Sequence, residues 1–521
     1  MNPDPAPAPS PPSRAPTRRA PNSLALAKFR LQALGRASGS RRVDGNALAL
    51  QFDGPLTFDT WIEAIQGARR FVHFENYILR DDPVGRRFRD AMVAKAREGV
   101  QVRVLSDWVG CWATPRKYWA PFREAGIEVR AFNRPSIRDP LGVLQRDHRK
   151  LVCVDGSLAF VGGFCVGQEW AGSAKAPPWR DTGIEIRGPA AAVAGWSFER
   201  IWATLGDPIP TEVQVHPDQV PPQGKASCWV FEGLPRRSRV LRSTLLVAAA
   251  ARRRIWITDP YFVAPRTVAE ALRAAARDGV DVRILVPSKN NWPWVGSLSR
   301  GGYRELLRSG VRLFEWQGSM IHAKTLVSDG IWARVGSSNM NSASLLGNWE
   351  IDIGVLDQDF ARQMEGLFLA DLASAVEIVL PGRASPSRRT DVAQREVSAG
   401  SASLEPPESL QGRLELWRAR GGSSGSTGSR IADLVRAGST LGNAIAGRRT
   451  LGREDRALLG ALALALLLVT VLAFFFPTVV AGVVAVLSGW LGLVVGVRVV
   501  VQRRAARLGD GGDTFEDRGV E

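Results

Sequence analysis

Two stretches of the chain read His-X-Lys-X4-Asp: His148, Lys150 and Asp155, then His322, Lys324 and Asp329. The 521 residues hold only four histidines, and only eight lysines among 68 basic residues. Two of each type fall at the same offsets in two places, which chance explains poorly. A pair of imidazoles and a pair of ammonium groups is what exchange at a phosphodiester needs. Such an ester resists attack because its oxygens repel nucleophiles and its alkoxide leaves badly. A neutral imidazole attacks phosphorus and splits one hard step into two. An imidazolium protonates the leaving alkoxide, and cations neutralise charge on the non-bridging oxygens. Imidazole titrates near pH ~6.5 when unperturbed, so both protonation states are accessible close to neutrality. No metal or cofactor is required, and no carboxylate cluster suggests one.

The elements that must position these groups come in two copies. ARRFVHFENYIL at 68–79 aligns with ARRRIWITDPYFV at 251–263, and AMVAKAREGVQVRVLSD at 91–107 with ALRAAARDGVDVRILVP at 271–287. REAGIEVRAF at 123–132 aligns with LRSGVRLFEW at 307–316, and HRKLVCVDGSLAFVGG at 148–163 with HAKTLVSDGIWARVGS at 322–337. The offsets stay between 174 and 184 residues, so two homologous lobes are expected, over 43–215 and 222–382. In each, a short apolar strand, an Ala/Arg/Leu helix, a Gly-Val turn and a second apolar strand alternate, which predicts an α/β fold with a largely buried sheet. The motifs sit on β-like runs, where residues two apart point the same way. Each His and its Lys are therefore expected on one face.

The formal charge of +17 favours a polyanionic partner, nucleic acid or anionic lipid. The spacing of Cys111, Cys153, Cys165 and Cys228 fits neither a zinc site nor a disulfide framework, which points to a reducing compartment. Residues 1–42, rich in Pro, Ala and Arg, are expected to be disordered, with Leu24, Leu26, Phe29, Leu31 and Leu34 on one face of a short helix that meets either a membrane or the catalytic body. No secretory signal is evident. Residues 383–455 read as a flexible linker. Beyond it, 457–476 and 478–497 are two apolar runs long enough to cross a bilayer, separated by Pro477. Arg448, Arg449, Arg453 and Arg456 precede the first, and Arg498, Arg503, Arg504 and Arg507 follow the second. Positive flanks at both ends predict a two-span hairpin over 456–501 with the lobes and the polar tail at 502–521 on the cytoplasmic side.

The paired motifs, with GSSNMNSASLLGNWEID at 336–352, FENYILRDD at 74–82 and RDTGIEIRGP at 180–189, resemble the phospholipase D superfamily, and within it the bacterial cardiolipin synthases. The resemblance spans roughly residues 45–380 and implies two phospholipase D-like α/β lobes around one active site. It implies a covalent phosphohistidine, with His148 as nucleophile and His322 as general acid and base, or the reverse. Lys150 and Lys324 would bind phosphate oxygens, Asn339 would assist, and Ser337 would line the site. Asp181 and Glu350 would hydrogen-bond the imidazoles. Asp155 and Asp329 complete the six-residue catalytic motif set but end the motifs, where they hold local structure. One position departs from the family pattern: Cys165 stands where Asn is usual, opposite Asn339 of the second lobe.

The resemblance implies a membrane enzyme that joins two phosphatidylglycerol molecules into cardiolipin and glycerol without a cofactor. A phospholipase D that uses water and releases phosphatidic acid is the nearest alternative. A nuclease of the same superfamily would use the charge on nucleic acid, but the hairpin counts against it. A silent lipid-binding scaffold is disfavoured by intact motifs in both lobes. His73 reads as structural and His216 as exposed. Trp108, Trp112, Trp170, Trp179, Trp292 and Trp294 cluster near predicted strand ends, as membrane anchors or as packing around a cleft. The sequence leaves the oligomeric state open.

Overall fold

The computed structural model describes residues 32–135, 145–235, 237–380 and 489–490. The linker and the two apolar runs, apart from Gly489 and Trp490, lie outside the described residues, as do Leu24, Leu26, Phe29 and Leu31. Among the described residues no helix is long and apolar enough to cross a membrane. Residues 32–38 are helical, at the end of the stretch where a short helix is expected within an otherwise disordered 1–42. Leu34 is buried in the apolar cluster that also holds Trp229 and Phe231, so of the two surfaces expected for this helix it meets the protein body.

Lobe 1 contributes strands β1 (Val43–Gln51), β2 (Phe71–Asn76), β3 (Gln101–Asp107), β4 (Glu128–Phe132), β5 (Lys150–Val154), β6 (Leu158–Gly162) and β7 (Gly183–Arg187). Lobe 2 contributes β8 (Ala226–Gly233), β9 (Arg254–Thr258), β10 (Asp281–Pro287), β11 (Arg312–Trp316), β12 (Thr325–Ser328), β13 (Trp332–Gly336), β14 (Glu350–Leu356) and β15 (Ala375–Ile378). All belong to one sheet, ordered β15-β11-β10-β9-β12-β13-β14-β8-β1-β7-β6-β5-β2-β3-β4. Read outward from the central β8–β1 pair, both halves follow the same order, and β15 adds an outer edge to lobe 2. The duplicated sequence thus becomes two α/β repeats. In each, the first strand–helix–strand unit forms parallel pairs, β2 with β3 and β9 with β10, and the motif strand joins antiparallel to β2 or β9.

Local chemistry sets these elements. Asp53 and Asp82 cap the helices Gly54–Gln66 and Pro83–Arg97 by accepting from Leu56 N at 3.1 Å and Gly85 N at 2.8 Å. The predicted Gly-Val turns fall at Gly99 and Gly279, with φ of 91° and 87°, a region glycine enters at little cost. One apolar cluster lies under the helices of each lobe. A third draws on both, with Cys153 and Ile184 from lobe 1 meeting Trp256, Val335 and Ile353 from lobe 2. This shared core fixes the lobes against each other and brings the two motif strands together.

Candidate active site

His148 and His322 stand just before β5 and β12 rather than inside them. The reason is a swap of hydrogen bonds between lobes. The His148 amide donates to the Trp349 carbonyl at 2.9 Å, and the His322 amide to the Arg180 carbonyl at 2.6 Å. Trp349 N donates back to Arg146 O at 2.8 Å, and Arg180 N to Met320 O at 2.9 Å. Each motif therefore docks, by a short parallel bridge, on the segment of the other lobe that carries a buried carboxylate.

The side chains follow the backbone across. His148 Nδ1 lies 3.0 Å from Glu350 Oε2, and His322 Nδ1 lies 2.7 Å from Asp181 Oδ2. Glu350 is held by Ser337 Oγ at 2.5 Å, by Ser344 Oγ and by Asn348 Nδ2 at 3.3 Å. Asp181 is held by Trp170 Nε1 and by Thr182 N, each at 2.8 Å. Burial raises both carboxyl groups, but the facing imidazoles and nearby lysines outweigh it. Asp181 is drawn down to about 2, and Glu350 is lowered as well. An ionised carboxylate only accepts hydrogen bonds. Nδ1 of each ring must therefore carry the proton, which leaves the lone pair on Nε2.

Burial lowers both imidazoles, with the lysines adding to it, and His322 falls to about 3. Both rings rest neutral near pH 7. Lys324 acts on His148 as well as His322, and Lys150 on His322 as well as His148. The two motifs thus share one electrostatic environment. Lys150 and Lys324 are fully buried, and each donates Nζ to the carbonyl of the histidine two residues before it. Lys324 Nζ also approaches His322 Nδ1 at 2.9 Å. That nitrogen cannot accept from Lys324 while donating to Asp181, and it keeps its proton and donates to the closer anionic carboxylate. Burial drops Lys324 to about 8.

Asp155 and Asp329 are remote from the imidazoles. Asp155 accepts from the amides of Arg69, Arg70 and Phe71 at 2.8–3.0 Å, and Asp329 from those of Arg252, Arg253 and Arg254 at 2.8–2.9 Å. Each pins the start of β2 or β9 to the β5–β6 or β12–β13 hairpin. With φ of 53° and 55°, followed by Gly156 and Gly330 at 73° and 68°, they form the Asp-Gly turns that hairpins favour. The Asp-Gly pair in each motif was the local signal for this turn. Asn339 is buried, and its Oδ1 finds no hydrogen-bond partner. Cys165 is buried within the fields of Lys150, Lys324 and Asp181, and its thiol is raised by burial. All four cysteines are free. His73 is sealed between Phe71 and Phe198 at 4.5 and 4.6 Å, whereas His216 is exposed.

Two tyrosines beside the imidazoles escaped the sequence reading. Tyr77 meets His148 edge-on at 4.9 Å with Lys150 Nζ 5.0 Å from its ring, and Tyr261 meets His322 at 5.8 Å with Lys324 Nζ at 5.8 Å. Two of the four tyrosines falling at equivalent places in the duplicated blocks was the available clue. Trp170 and Trp179 wall His322 at 5.4 and 5.8 Å, while Trp108, Trp112 and Trp292 are exposed. Gly163 occupies the position of Ser337. A Cβ there would lie 2.0 Å from Asp181 Oδ1, so the shorter Asp with Gly in lobe 1 replaces Glu with Ser in lobe 2. Gly163→Ala is expected to push Asp181 off His322 and lower kcat by ~10²-fold, since a small misplacement of an orienting group costs that much. Steady-state turnover beside an unchanged thermal unfolding profile checks it.

The family described as "Cardiolipin synthase, PLD-like domain" matches residues 61–169 and 246–372. Cardiolipin synthase A of Pseudomonas aeruginosa is 35% identical over 370 residues, covering 70% of this chain and 75% of that one. The chain belongs to the cardiolipin synthase family of phospholipase D-like proteins. Another member, cardiolipin synthase A of Pseudomonas fluorescens, is 36% identical over 363 residues, covering 68% of this chain and 74% of its own. A solved phosphatidylserine synthase from Haemophilus influenzae shares the fold, with a TM-score of 0.55 at 13% identity over 72% of this chain and 98% of that one. Within this cardiolipin synthase-like chain, the two family segments carry one His-X-Lys motif each. Asp181 falls between them, on the stretch that reaches across to the second motif.

Proposed function

We infer that the chain is a phosphatidyltransferase that joins two phosphatidylglycerol molecules into cardiolipin and glycerol. The observation that carries this reading is the crossed pair of His–carboxylate hydrogen bonds, which supplies two oriented imidazoles and two ammonium groups to one site. His148 Nε2 attacks the phosphorus of the first phosphatidylglycerol. The glyceryl oxygen leaves and takes a proton from the His322 imidazolium, which gives phosphatidyl-histidine and glycerol. The headgroup hydroxyl of the second phosphatidylglycerol then gives its proton to neutral His322 and displaces His148 from phosphorus. Lys150 and Lys324 neutralise the non-bridging oxygens, and Asn339 donates to them through its Nδ2. Asp155 and Asp329 act through the hairpins they hold. Because both rings rest neutral, His322 must take up a proton from solvent as substrate binds, the negative phosphate offsetting the lysines that disfavour the imidazolium. The reverse order, with His322 attacking, is the second reading, because Asp181 orients the His322 ring just as Glu350 orients that of His148.

The apolar runs at 457–476 and 478–497 serve as a two-span anchor in the cell membrane, with the catalytic lobes on the cytoplasmic side and the 383–455 linker between. Residues 43–215 and 222–382 are the two lobes. Their supports are the length and apolarity of the runs, their arginine flanks and the lipid substrate. Labelled phosphatidylglycerol given to the purified chain tests the activity by mass spectrometry. Cardiolipin with glycerol is expected. Phosphatidic acid as the main product would make it a hydrolase, and DNA cleavage without lipid turnover would make it a nuclease.

The lysine sets the pH range. Its charged form binds phosphate, so kcat/KM, which reports the free enzyme, should fall as pH rises through about 8 and Lys324 loses its proton. Lys324→Arg is expected to be slower at pH 7 but free of this alkaline limb, because guanidinium stays charged. A limb unmoved by the substitution would assign it to another group.

A further inference from the structure

Among the described residues of the two lobes, three tryptophans are exposed: Trp108 at 38%, Trp112 at 74% and Trp292 at 56%. They occupy equivalent places, since residues 108–112 follow β3 and Trp292 follows its counterpart β10. Both loops are braced on the tyrosine beside a catalytic imidazole. In lobe 1, Cys111 Sγ contacts the Tyr77 carbonyl at 3.6 Å, Gly110 packs against that same oxygen, and Asp107 Oδ2 accepts from the Asp147 amide at 2.9 Å. In lobe 2, Asn290 Nδ2 donates to the Pro260 carbonyl at 2.7 Å, and Tyr261 donates its hydroxyl to Asn291 Oδ1 at 2.8 Å. Asn290 Oδ1 in turn accepts from Trp292 N at 2.8 Å. The loops that carry the exposed indoles are thus each tied, one in each lobe, to the tyrosine that contacts a histidine of the site. Leu298, 57% exposed on the helix Pro293–Arg308, extends the second patch.

We propose that these paired tryptophan loops dock the catalytic lobes on an anionic bilayer, so that phosphatidylglycerol enters the site directly from the membrane. Indole partitions to the membrane interface, where its apolar body is buried and its N–H stays solvated. The charge of the loops fits that partner. Residues 108–119 contain Arg116 and Lys117 and no acid, and residues 288–304 contain Lys289, Arg300 and Arg304 and no acid. Arg300 is paired with Glu315 at 2.9 Å, and a surface of exposed indoles with Arg116, Lys117, Lys289 and Arg304 on the same segments suits phosphates above and acyl chains below. The remaining chain fits as well, because 381–521 leaves the lobes carrying two apolar runs that would tether them near the same surface.

The proposal rests on phosphatidylglycerol being the substrate, and two readouts on the full chain separate the ideas. The first compares wild type with the triple variant Trp108→Ala, Trp112→Ala, Trp292→Ala on two substrates. One is phosphatidylglycerol diluted in phosphatidylcholine proteoliposomes, and the other is dihexanoyl-phosphatidylglycerol kept monomeric. The variant is expected to show a roughly tenfold higher apparent surface KM on the bilayer substrate with unchanged turnover of the monomeric one. The second readout is quenching of tryptophan fluorescence by acyl-chain-brominated lipids, and the variant should lose part of the wild-type quenching. Equal losses on both substrates would mean that the indoles shape the cleft, which overturns docking. An unchanged surface KM or unchanged quenching also overturns it. If wild type turns over neither lipid while the quenching difference persists, the docking face stands and the substrate reading fails.

Discussion

His148→Ala and His322→Ala are each expected to lose ~10⁴-fold or more in phosphatidyl transfer, as removing one member of an acid–nucleophile unit does. Equal losses would not tell the two roles apart, but a substrate with an easy leaving group does. A phosphatidyl ester of p-nitrophenol releases an anion that needs no proton, so the first step no longer depends on the acid. With His148 as nucleophile, His322→Ala should release one equivalent of nitrophenolate and stall, because nothing deprotonates the acceptor hydroxyl. Acid-labile, base-stable phosphatidyl-histidine would then accumulate at residue 148. His148→Ala should give no burst. The mirror-image result assigns the nucleophile to His322. A burst in both variants, with full steady-state activity, would place the chemistry elsewhere in the molecule.

Much of this architecture is local and so can be read from the chain. The duplicated blocks report two repeats because each block is one strand–helix–strand unit with its own periodicity. Gly99 and Gly279 mark their turns because few other residues accept those dihedrals. The junction of the halves is a different matter. β1 and β8 pair only through Val43 with Cys228 and Asn46 with Ala226, contacts 185 and 180 residues apart that no local pattern specifies. The same limit applies at the site. Strand alternation put each His and Lys on one face, but it could not say that the segment would leave its own ladder to bond the other lobe. Nor could it match carboxylates to rings, because Asp181 and Glu350 each lie nearer in sequence to the imidazole they do not touch. Tyr77 and Tyr261 went unread for a related reason: an aromatic after a strand packs in most folds, and only the position of the motifs makes these two neighbours of the imidazoles.

That crossing has a functional signature. Glu350 bonds His148 across 202 positions of sequence, while Asp181 bonds His322 across 141. Replacing either carboxylate by its amide keeps the size but removes the charge, and the amide N–H2 can donate to Nδ1. The ring then carries its proton on Nε2, where the lone pair is needed, and the imidazolium loses the anion that stabilises it. Losing the tautomer in this way costs up to ~10⁴-fold in an orienting carboxylate of this kind. Glu350→Gln, on lobe 2, should therefore reproduce the lobe 1 variant His148→Ala and give no nitrophenolate burst. Asp181→Asn, on lobe 1, should reproduce His322→Ala: it bursts and then stalls. If the roles of the histidines are reversed, both carboxylate phenotypes reverse with them, so the correlation survives either assignment. It fails only if each carboxylate variant follows the histidine of its own lobe. That outcome would mean that the lobes do not exchange partners in the working enzyme and that each motif is oriented from within its own half.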